Sequence, residues 1–175
     1  MSAAFALQTL AEVRDNDHIV VEESPSSRRT MQQYLPFSRP QTFFTMASGG
    51  LGYGMPAALG IALAKPGRKV IGLIGDGSSM YSIQALWSAG QLGLPVTFII
   101  LNNRRYEALC DFALHFGFGT EEAVQGTQLP EIDFVGLARS MGCRATRVED
   151  AASLADVLRT ALADARPNLV EIAVA

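Results

Sequence analysis

The sequence has few cysteines, few histidines and no long apolar run. Its two cysteines, Cys110 and Cys143, lack the paired spacing of a metal site or a disulfide framework, so we expect reduced thiols. No apolar stretch approaches the length that crosses a bilayer, and the first residues lack the basic region of a secretory signal. The net charge of −3 gives no reason to expect nucleic acid or an anionic membrane as a partner. These absences predict a cytoplasmic protein.

What the sequence does contain is typical of a buried α/β sheet. Apolar residues make up 49% of the 175 residues and charged residues 18%, and this length suits a single domain over residues 1–175. Strand-like apolar runs alternate with helix-like segments, which predicts a doubly wound, mostly parallel sheet with helices on both faces. The strand-like runs lie at 18–22, 69–75, 95–102, 143–148 and 169–174, and helices are predicted at 2–13, 79–92, 107–118, 134–141 and 153–165.

Three local expectations accompany this fold. In the helix predicted over 79–92, an apolar stripe that includes Trp87 should pack on the sheet. Ser153 and Asp156 resemble a capping box at the start of the last helix. Residues 119–131 are polar and punctuated by glycine and proline, which predicts an ordered surface loop.

Polar residues follow two neighbouring predicted strands. The first strand ends in Gly75-Asp76-Gly77-Ser78-Ser79, and the next one ends in Asn102-Asn103. A right-handed crossover brings the carboxyl ends of such strands into one crevice. A carboxylate, an amide oxygen and a nearby backbone carbonyl are the hard oxygen ligands that suit Mg²⁺ holding a diphosphate. The alternative is that Asp76 has a purely structural role, as a turn residue or a helix cap.

A glycine-rich segment lies between the strand-like runs at 18–22 and 69–75. Residues 47–54 read Ala-Ser-Gly-Gly-Leu-Gly-Tyr-Gly, which indicates close backbone approach or positive φ. The pattern also suggests a nicotinamide dinucleotide site. That interpretation is the weaker one, because the fingerprint requires G-x-G-x-x-G in the first βαβ unit and a separate acidic residue downstream.

The two polar motifs together resemble the GDG…NN signature of thiamine diphosphate (ThDP)-dependent enzymes. The resemblance extends over residues 20–175 and is greatest to the diphosphate-binding (PP) domain of the benzoylformate decarboxylase group. Acetolactate-synthase-like enzymes and other 2-keto acid decarboxylases share the metal motif but are less similar elsewhere. The closer resemblance is carried by the runs 47–60, 74–78, 81–87 and 130–134.

The resemblance implies ThDP and Mg²⁺ as cofactors. The metal would be bound by the side chains of Asp76 and Asn103 and by the backbone carbonyl of Arg105. Leu109 and Phe112 match positions that line the substrate pocket. Cofactor contacts are implied at Ser26, Gly49, Leu51, Gly75, Asp76, Gly77, Ser78, Asn103 and Tyr106.

Among these residues, Gly49 would contact the aminopyrimidine and Leu51 would be the apolar wedge that bends the cofactor. Three positions depart from the family pattern. Pro25 stands where a hydroxyl residue is expected, Arg104 where glycine is usual, and Arg105 where a small hydroxyl residue is usual. Arg104 would therefore have to adopt a backbone conformation that favours glycine.

The implied reaction is non-oxidative decarboxylation of a small 2-keto acid to an aldehyde and CO₂. No catalytic residue is expected in this chain, because the family's catalytic glutamate and histidines lie elsewhere and His18 and His115 match none of them. The missing pyrimidine-binding (PYR) domain would come from the same enzyme or from a partner subunit, as in split sulfopyruvate decarboxylases. We expect a homo-oligomer that is inactive as an isolated chain. A non-catalytic binding or assembly module, with the apolar segment 107–118 facing a partner, is the alternative of another class.

Overall fold

A computed structural model describes residues 1–119 and 124–175 of the chain. Within them, six strands form one sheet in the order β2-β1-β3-β4-β6-β5, and every neighbouring pair is parallel. The predicted doubly wound sheet is confirmed, and it is parallel throughout. The strands are β1 (Ile19–Glu23), β2 (Phe43–Thr45), β3 (Val70–Gly75), β4 (Val96–Asn102), β5 (Arg144–Val148) and β6 (Asn168–Ala173).

Helices connect the strands and cover the sheet. Short 3₁₀ turns at Pro25–Ser27 and Leu114–Phe116 extend two of the connections. The α-helices are α1 (Ala3–Val13), α2 (Arg28–Tyr34), α3 (Gly54–Ala64), α4 (Asp76–Ser79), α5 (Ala85–Leu92), α6 (Glu107–Ala113), α7 (Phe134–Ser140) and α8 (Leu154–Ala163).

Two hydrophobic clusters lie on opposite faces of the sheet. One joins α3, α5 and α7 to side chains such as Ile74 and Phe98, and the other joins α1, α2 and α8 to side chains such as Leu73 and Ile99. Both faces of the central strands are therefore buried, which explains why their sequences are continuous apolar runs and do not alternate with polar residues.

One glycine inside β3 has a packing reason. Gly72 is in register with Phe98 of β4, and a Cβ at Gly72 would lie 2.8 Å from Phe98 Cδ1. The fully buried Phe98 ring thus occupies the space above the glycine. Any side chain at position 72 would displace that ring from the core.

The strand order fixes where a crevice opens. The chain runs from β1 to β2 on one side of the sheet and from β3 to β4 on the other, so β1 and β3 flank the switch point. In open parallel sheets the connections after two such strands diverge to opposite faces, and a crevice forms outside their carboxyl ends. The loops after β1 and β3 are those of Ser26 and Asp76.

The helix predicted over 79–92 is wrong in its first half. The chain forms α4, then turns over residues 80–84, and resumes as α5 at Ala85. The turns are closed by i→i+3 bonds such as Tyr81 N–H to the Ser78 carbonyl (3.2 Å). Trp87, expected on the sheet, is 57% exposed, whereas Leu86 of the same helix is buried. Leu86 and Trp87 are successive residues of α5 and so point in different directions, and it is Leu86 that packs on the sheet while Trp87 faces solvent.

The capping box predicted at Ser153 and Asp156 is also wrong. The Ser153 backbone amide donates to Asp150 Oδ1 at 2.9 Å, and its hydroxyl donates to Asp150 Oδ2 at 2.7 Å. Asp156 instead pairs with Arg159 one turn later. Asp150, three residues before Ser153, therefore accepts the hydrogen bonds at this helix entry.

The loop predicted over 119–131 is described only in part, because residues 120–123 lie outside the described residues. In the remainder, Thr127 is buried, and Gln128 forms an isolated antiparallel bridge with Arg105. This part of the loop is tied to the segment that follows β4. Among the helices of residues 1–119 and 124–175, none combines the length and apolarity of a membrane span.

Candidate functional site

A cleft of about 250 Å³ opens at the switch point between β1 and β3. Its walls come from the turn after β1, the glycine-rich segment, the start of α4 and the beginning of α6. The lining residues are Pro25, Ser26, Gly49, Leu51, Gly75, Asp76, Gly77, Ser78, Tyr81, Arg105, Tyr106, Glu107, Ala108 and Leu109.

Most of the predicted site residues meet in this cleft. The members that line it are Ser26, Gly49, Leu51, Gly75, Asp76, Gly77, Ser78, Arg105, Tyr106 and Leu109. Asn103 and Phe112 do not belong to the lining. Asn103 lies one residue beyond β4 and is partly buried, and Phe112 is 57% exposed on α6.

Asp76 is the buried charge of the cleft. It is the first residue of α4 and is 4% exposed. Its Oδ1 accepts the backbone N–H of Gly77 at 2.8 Å, and its carbonyl accepts the Ser79 hydroxyl at 2.7 Å. Its Oδ2 is buried and has no hydrogen-bond partner within the described residues. A buried carboxylate oxygen without a partner is costly, so this oxygen is a candidate ligand for a cation.

The electrostatics of Asp76 follow from this burial. Removal from water raises the pKa of its carboxyl above the ordinary value. The backbone amides of Gly77, Arg104, Arg105 and Asn103 oppose the rise. The last three belong to the segment after β4, so this segment stands next to the carboxyl, as the motif predicted. A cation at Oδ2 would further favour the ionised form.

The segment after β4 is held in a defined shape. Asn102 Oδ1 accepts the Arg104 N–H at 2.9 Å, and the Arg104 carbonyl accepts the Leu129 N–H at 2.8 Å. Arg104 itself has φ of 60°, in the left-handed region that favours glycine. Arg104 therefore adopts the backbone conformation that favours glycine, as expected for an arginine at a position where the family usually has glycine.

Asn103 already uses its side chain within this loop. Its Oδ1 accepts the Arg105 N–H at 3.3 Å, and its Nδ2 donates to Glu107 Oε2 at 3.3 Å. The Arg105 carbonyl accepts the Glu107 N–H at 3.0 Å. Both bonds to Asn103 are long, so its oxygen retains capacity for a further ligand.

The glycines on either side of Asp76 have close backbone approach, and a hydroxyl without a partner lies near one of them. A Cβ at Gly77 would collide with the ring of Tyr106, so that ring lies directly on the glycine. The Ser24 hydroxyl is buried and, among the described residues, has no hydrogen-bond partner. A Cβ at Gly75 would lie 3.6 Å from the hydroxyls of both Ser24 and Ser78.

Sequence reasoning missed several of the cleft residues. Tyr81 enters the cleft only because the chain turns at residues 80–84, which a continuous helix would not allow. Glu107 lines the cleft and forms an ion pair with Arg105. Neither had a sequence signal. Glu23, which does not line the cleft but bonds the glycine-rich segment beside it, had a signal, since an acidic residue at the end of a buried strand is rare without a partner.

An exposed apolar surface lies beside the cleft. We call the segment from Glu107 to Phe118 the aromatic segment. Phe112 and Phe116 stack edge to face with ring centroids 5.1 Å apart, and Phe116 is 68% exposed. Its other exposed apolar side chains are Leu109, Leu114 and Phe118. Clusters of this kind usually mark an interface.

The donor set restricts the kind of metal that could bind. In the part of the chain that the structure describes, no three His, Cys, Asp or Glu side chains converge as a metal site. One carboxylate oxygen, one amide oxygen and one carbonyl leave half of an octahedral shell to water or ligand oxygens. That composition fits Mg²⁺ with a bound diphosphate, which is usually held by one or two carboxylates plus phosphates.

The fold and the cleft define an open α/β protein with a cleft at its switch point, where proteins of this class bind ligands. Comparison with protein families assigns residues 25–172 to the C-terminal TPP-binding domain of thiamine pyrophosphate enzymes. The chain therefore belongs to the thiamine pyrophosphate enzyme family.

Individual relatives agree with this assignment. Benzoylformate decarboxylase of Pseudomonas aeruginosa is 44% identical over 156 residues, which are 89% of this chain and 29% of the relative. Acetolactate synthase of Bacillus subtilis is 32% identical over 177 residues, which cover 98% and 30% of the two chains. The chain thus spans about 30% of the length of these relatives.

Solved structures show the same architecture. The ThDP-dependent 4-hydroxybenzoylformate decarboxylase of Rhodococcus jostii RHA1 superposes with a TM-score of 0.94 at 41% identity, covering 99% of this chain and 32% of that one. Benzoylformate decarboxylase of Polynucleobacter necessarius gives a TM-score of 0.93 at 31% identity, with 99% and 33% covered. Both are decarboxylases several times longer than this chain.

Proposed function

We propose that this chain binds Mg²⁺ and the diphosphate end of thiamine diphosphate, as the C-terminal half-site of a 2-keto acid decarboxylase. The free Oδ2 of Asp76 carries the proposal. It is a buried, charged acceptor at the edge of the cleft, and family membership supplies a ligand that explains why it lacks a partner.

Each side of the cleft has its own part in binding. Asp76 Oδ2, the Asn103 amide oxygen and the Arg105 carbonyl would hold Mg²⁺. Gly75, Gly77, Ser78 and Ser26 would hold the diphosphate, and the Tyr106 ring would fix the backbone at Gly77. Gly49 would bond the aminopyrimidine, and Leu51 would support the bend of the cofactor. When bound, ThDP supplies a nucleophilic carbon and an electron sink for decarboxylation.

The proposed substrate is a small 2-keto acid with an aryl group, as in the named decarboxylase relatives. Leu109 and Phe112 would contribute apolar surface to its pocket. The rest of the pocket, the catalytic glutamate and the histidines would come from a PYR domain and its neighbours. In our proposal these lie in the same enzyme or a partner subunit of a cytoplasmic homo-oligomer. The aromatic segment would face that partner.

Calorimetric titration of the purified chain tests the binding proposal. ThDP should bind when Mg²⁺ is present, and binding should be lost when the metal is chelated. NAD⁺ should give no heat and no thermal stabilisation, because a ligand raises the unfolding midpoint only by binding the folded state. Absence of binding by ThDP with Mg²⁺, or stabilisation by NAD⁺ instead, would contradict the assignment.

A turnover assay tests whether the chain is half of a site. Benzoylformate with ThDP, Mg²⁺ and the chain alone should give negligible aldehyde. Addition of a PYR domain from a related decarboxylase should restore turnover if it docks on the aromatic segment. Sustained turnover by the chain alone would show that it holds a complete site.

Acetolactate synthase chemistry is the second candidate, because several relatives carry that name. The product distinguishes this activity from simple decarboxylation, because pyruvate would yield a condensed acetohydroxy acid and not an aldehyde. A non-catalytic assembly module is favoured only by the exposed aromatic segment. That function predicts partner binding with no effect of Asp76→Asn on any ligand affinity.

A further inference from the structure

The glycine-rich segment of residues 47–54, called the glycine loop below, has an unusual anchor. Residues 47–50 are exposed, and Gly49 and Gly52 have positive φ of 75° and 96°. Two backbone amides near its end bind one carboxylate: Gly52 N–H donates to Glu23 Oε1 at 2.7 Å, and Gly54 N–H donates to Glu23 Oε2. Glu23 is the last residue of β1 and is 1% exposed.

The contact between the loop and Glu23 is close as well as polar. A Cβ at Gly54 would lie 2.8 Å from Glu23 Cβ and 2.6 Å from Ile74 Cδ1. A Cβ at Gly52 would lie 3.3 Å from Tyr81 Cβ. Glycine at position 54 therefore lets the loop backbone rest against the ends of β1 and β3, and glycine at position 52 lets it rest against Tyr81.

Glu23 does not line the cleft, yet the residues it holds are next to residues that do. Gly49 and Leu51 line the cleft, and Leu51 immediately precedes Gly52. The opposite wall, with Asp76, Gly77 and Ser78, belongs to α4 and is held by its own hydrogen bonds. The glycine loop is thus held by Glu23, and the α4 wall is held by bonds within its own turn. A ligand that spans the cleft would contact both walls.

We propose that Glu23 is a positioning residue that sets the glycine loop for the organic half of the cofactor, and that it does not affect the diphosphate half. This inference rests on the proposed function. A carboxylate has two acceptors that match the two loop amides, and buried charge-assisted bonds of this kind are strong and directional. Loss of either bond frees Gly49 and Leu51 while Asp76 stays in place.

Glu23→Gln tests the role with minimal change of shape. Glutamine keeps one acceptor but turns an NH₂ group toward the second loop amide, so one bond is lost. Leu162→Ala is the matched control, because it removes buried contacts on α8, on the opposite face of the sheet. Each protein is titrated with ThDP and with inorganic diphosphate, both with Mg²⁺. Amide hydrogen exchange of Gly52 and Gly54 is followed by NMR without ligand.

In Glu23→Gln, protection of the Gly52 and Gly54 amides should fall, and ThDP affinity should drop roughly tenfold, as expected for one lost bond to a charged acceptor. The affinity for inorganic diphosphate should change by less than about twofold, because its wall is supported separately. Leu162→Ala should lower the unfolding midpoint without changing the ratio of the two affinities. If Glu23→Gln does not fold, Glu23→Asp, which keeps the charge but is too short to reach both amides, takes its place.

Two results would overturn the role of Glu23 while leaving the proposed function intact. One is an equal loss of ThDP and diphosphate affinity, which would indicate general damage. The other is lost amide protection with unchanged ThDP affinity. If the wild-type chain binds neither ligand, the proposed function fails and the positioning role fails with it.

Discussion

Strand β3 has a charged residue next to each of its ends, half-buried Lys69 and buried Asp76, and the two differ in how far their polar atoms are hydrogen-bonded. Lys69 precedes the strand, and its ammonium donates to the carbonyls of Ala161 (3.3 Å) and Asp164 (2.8 Å) at the end of α8. Asp76 follows the strand and has one oxygen bonded and the other without a partner. Burial shifts both toward the neutral form: it lowers the pKa of Lys69 to about 8 and raises that of Asp76.

The difference separates a structural charge from a binding charge. Both ends carry the penalty of desolvation. Lys69 has two carbonyl acceptors within the chain, whereas Asp76 has a hydrogen-bond partner among the described residues for only one of its two carboxylate oxygens. The Asp76 end keeps an unsatisfied acceptor beside an open cleft. We expect Lys69 to matter for stability and Asp76 to matter for ligand binding.

The largest expected effect is on cofactor affinity at Asp76. Asp76→Asn keeps an acceptor for the Gly77 N–H but removes the charge that would bind Mg²⁺. The affinity for ThDP with Mg²⁺ should fall about 100-fold or more, since losing a charged ligand amounts to roughly 3 kcal/mol. Calorimetry measures this change, and Asp156→Asn, at an exposed carboxylate on α8, is the control.

The stability of the same variant sharpens the comparison. Without cofactor, Asp76→Asn should unfold at the same or a higher urea concentration than wild type at neutral pH, because it removes a buried charge. A clear loss of stability would mean that Asp76 is a structural charge like Lys69.

The opposite outcome is expected at Lys69. Lys69→Met should lower the free energy of unfolding by about 1–2 kcal/mol, because the Asp164 carbonyl loses its donor. ThDP affinity should be unchanged. Urea denaturation and calorimetry on one preparation check both, and reduced affinity would show that the two ends of β3 are not independent.

The pH dependence of stability gives a smaller effect of known sign. Native Lys69 loses its proton near pH 8, whereas the unfolded chain keeps it to the ordinary value of 10.5. The unfolded state therefore binds more protons between these values, and this lysine makes stability rise with pH across that window. Solvent screening of the half-buried amine limits the rise to about 1 kcal/mol. It should be absent in Lys69→Met, and an equal rise there would assign it to other groups.

The smallest effect concerns backbone strain at the cofactor end. Arg104→Gly relieves the left-handed conformation but adds freedom to the unfolded chain, so stability should rise by only about 0.5 kcal/mol. Cofactor affinity should stay within about twofold of wild type, because the Arg105 carbonyl keeps its position. A marked loss of affinity would show that the Arg104 side chain itself takes part in binding.

The sequence was informative wherever burial alone decides structure. β3 and β4 could be predicted because strands covered on both faces must be apolar, and the polar residues at their ends then share an edge. The break between α4 and α5 could not, since it depends on serine side chains that compete for backbone groups, as Ser79 does at the Asp76 carbonyl.

The candidate site, like the fold, could be predicted from the sequence only in part. The residue types around Asp76 predicted the chemistry, but which oxygen is free depends on hydrogen bonds that only coordinates reveal. The hold of Glu23 on the glycine loop depends on contacts between segments distant in the chain. Spacing within the sequence contains no such information.

The most direct test of the account is a crystal structure of the chain with ThDP and Mn²⁺, in which anomalous scattering locates the metal. We predict one strong peak about 2.0–2.3 Å from Asp76 Oδ2, the Asn103 amide oxygen and the Arg105 carbonyl, with the diphosphate completing its shell. A metal bound elsewhere, or a diphosphate in the cleft with Asp76 Oδ2 still without a partner, would contradict it.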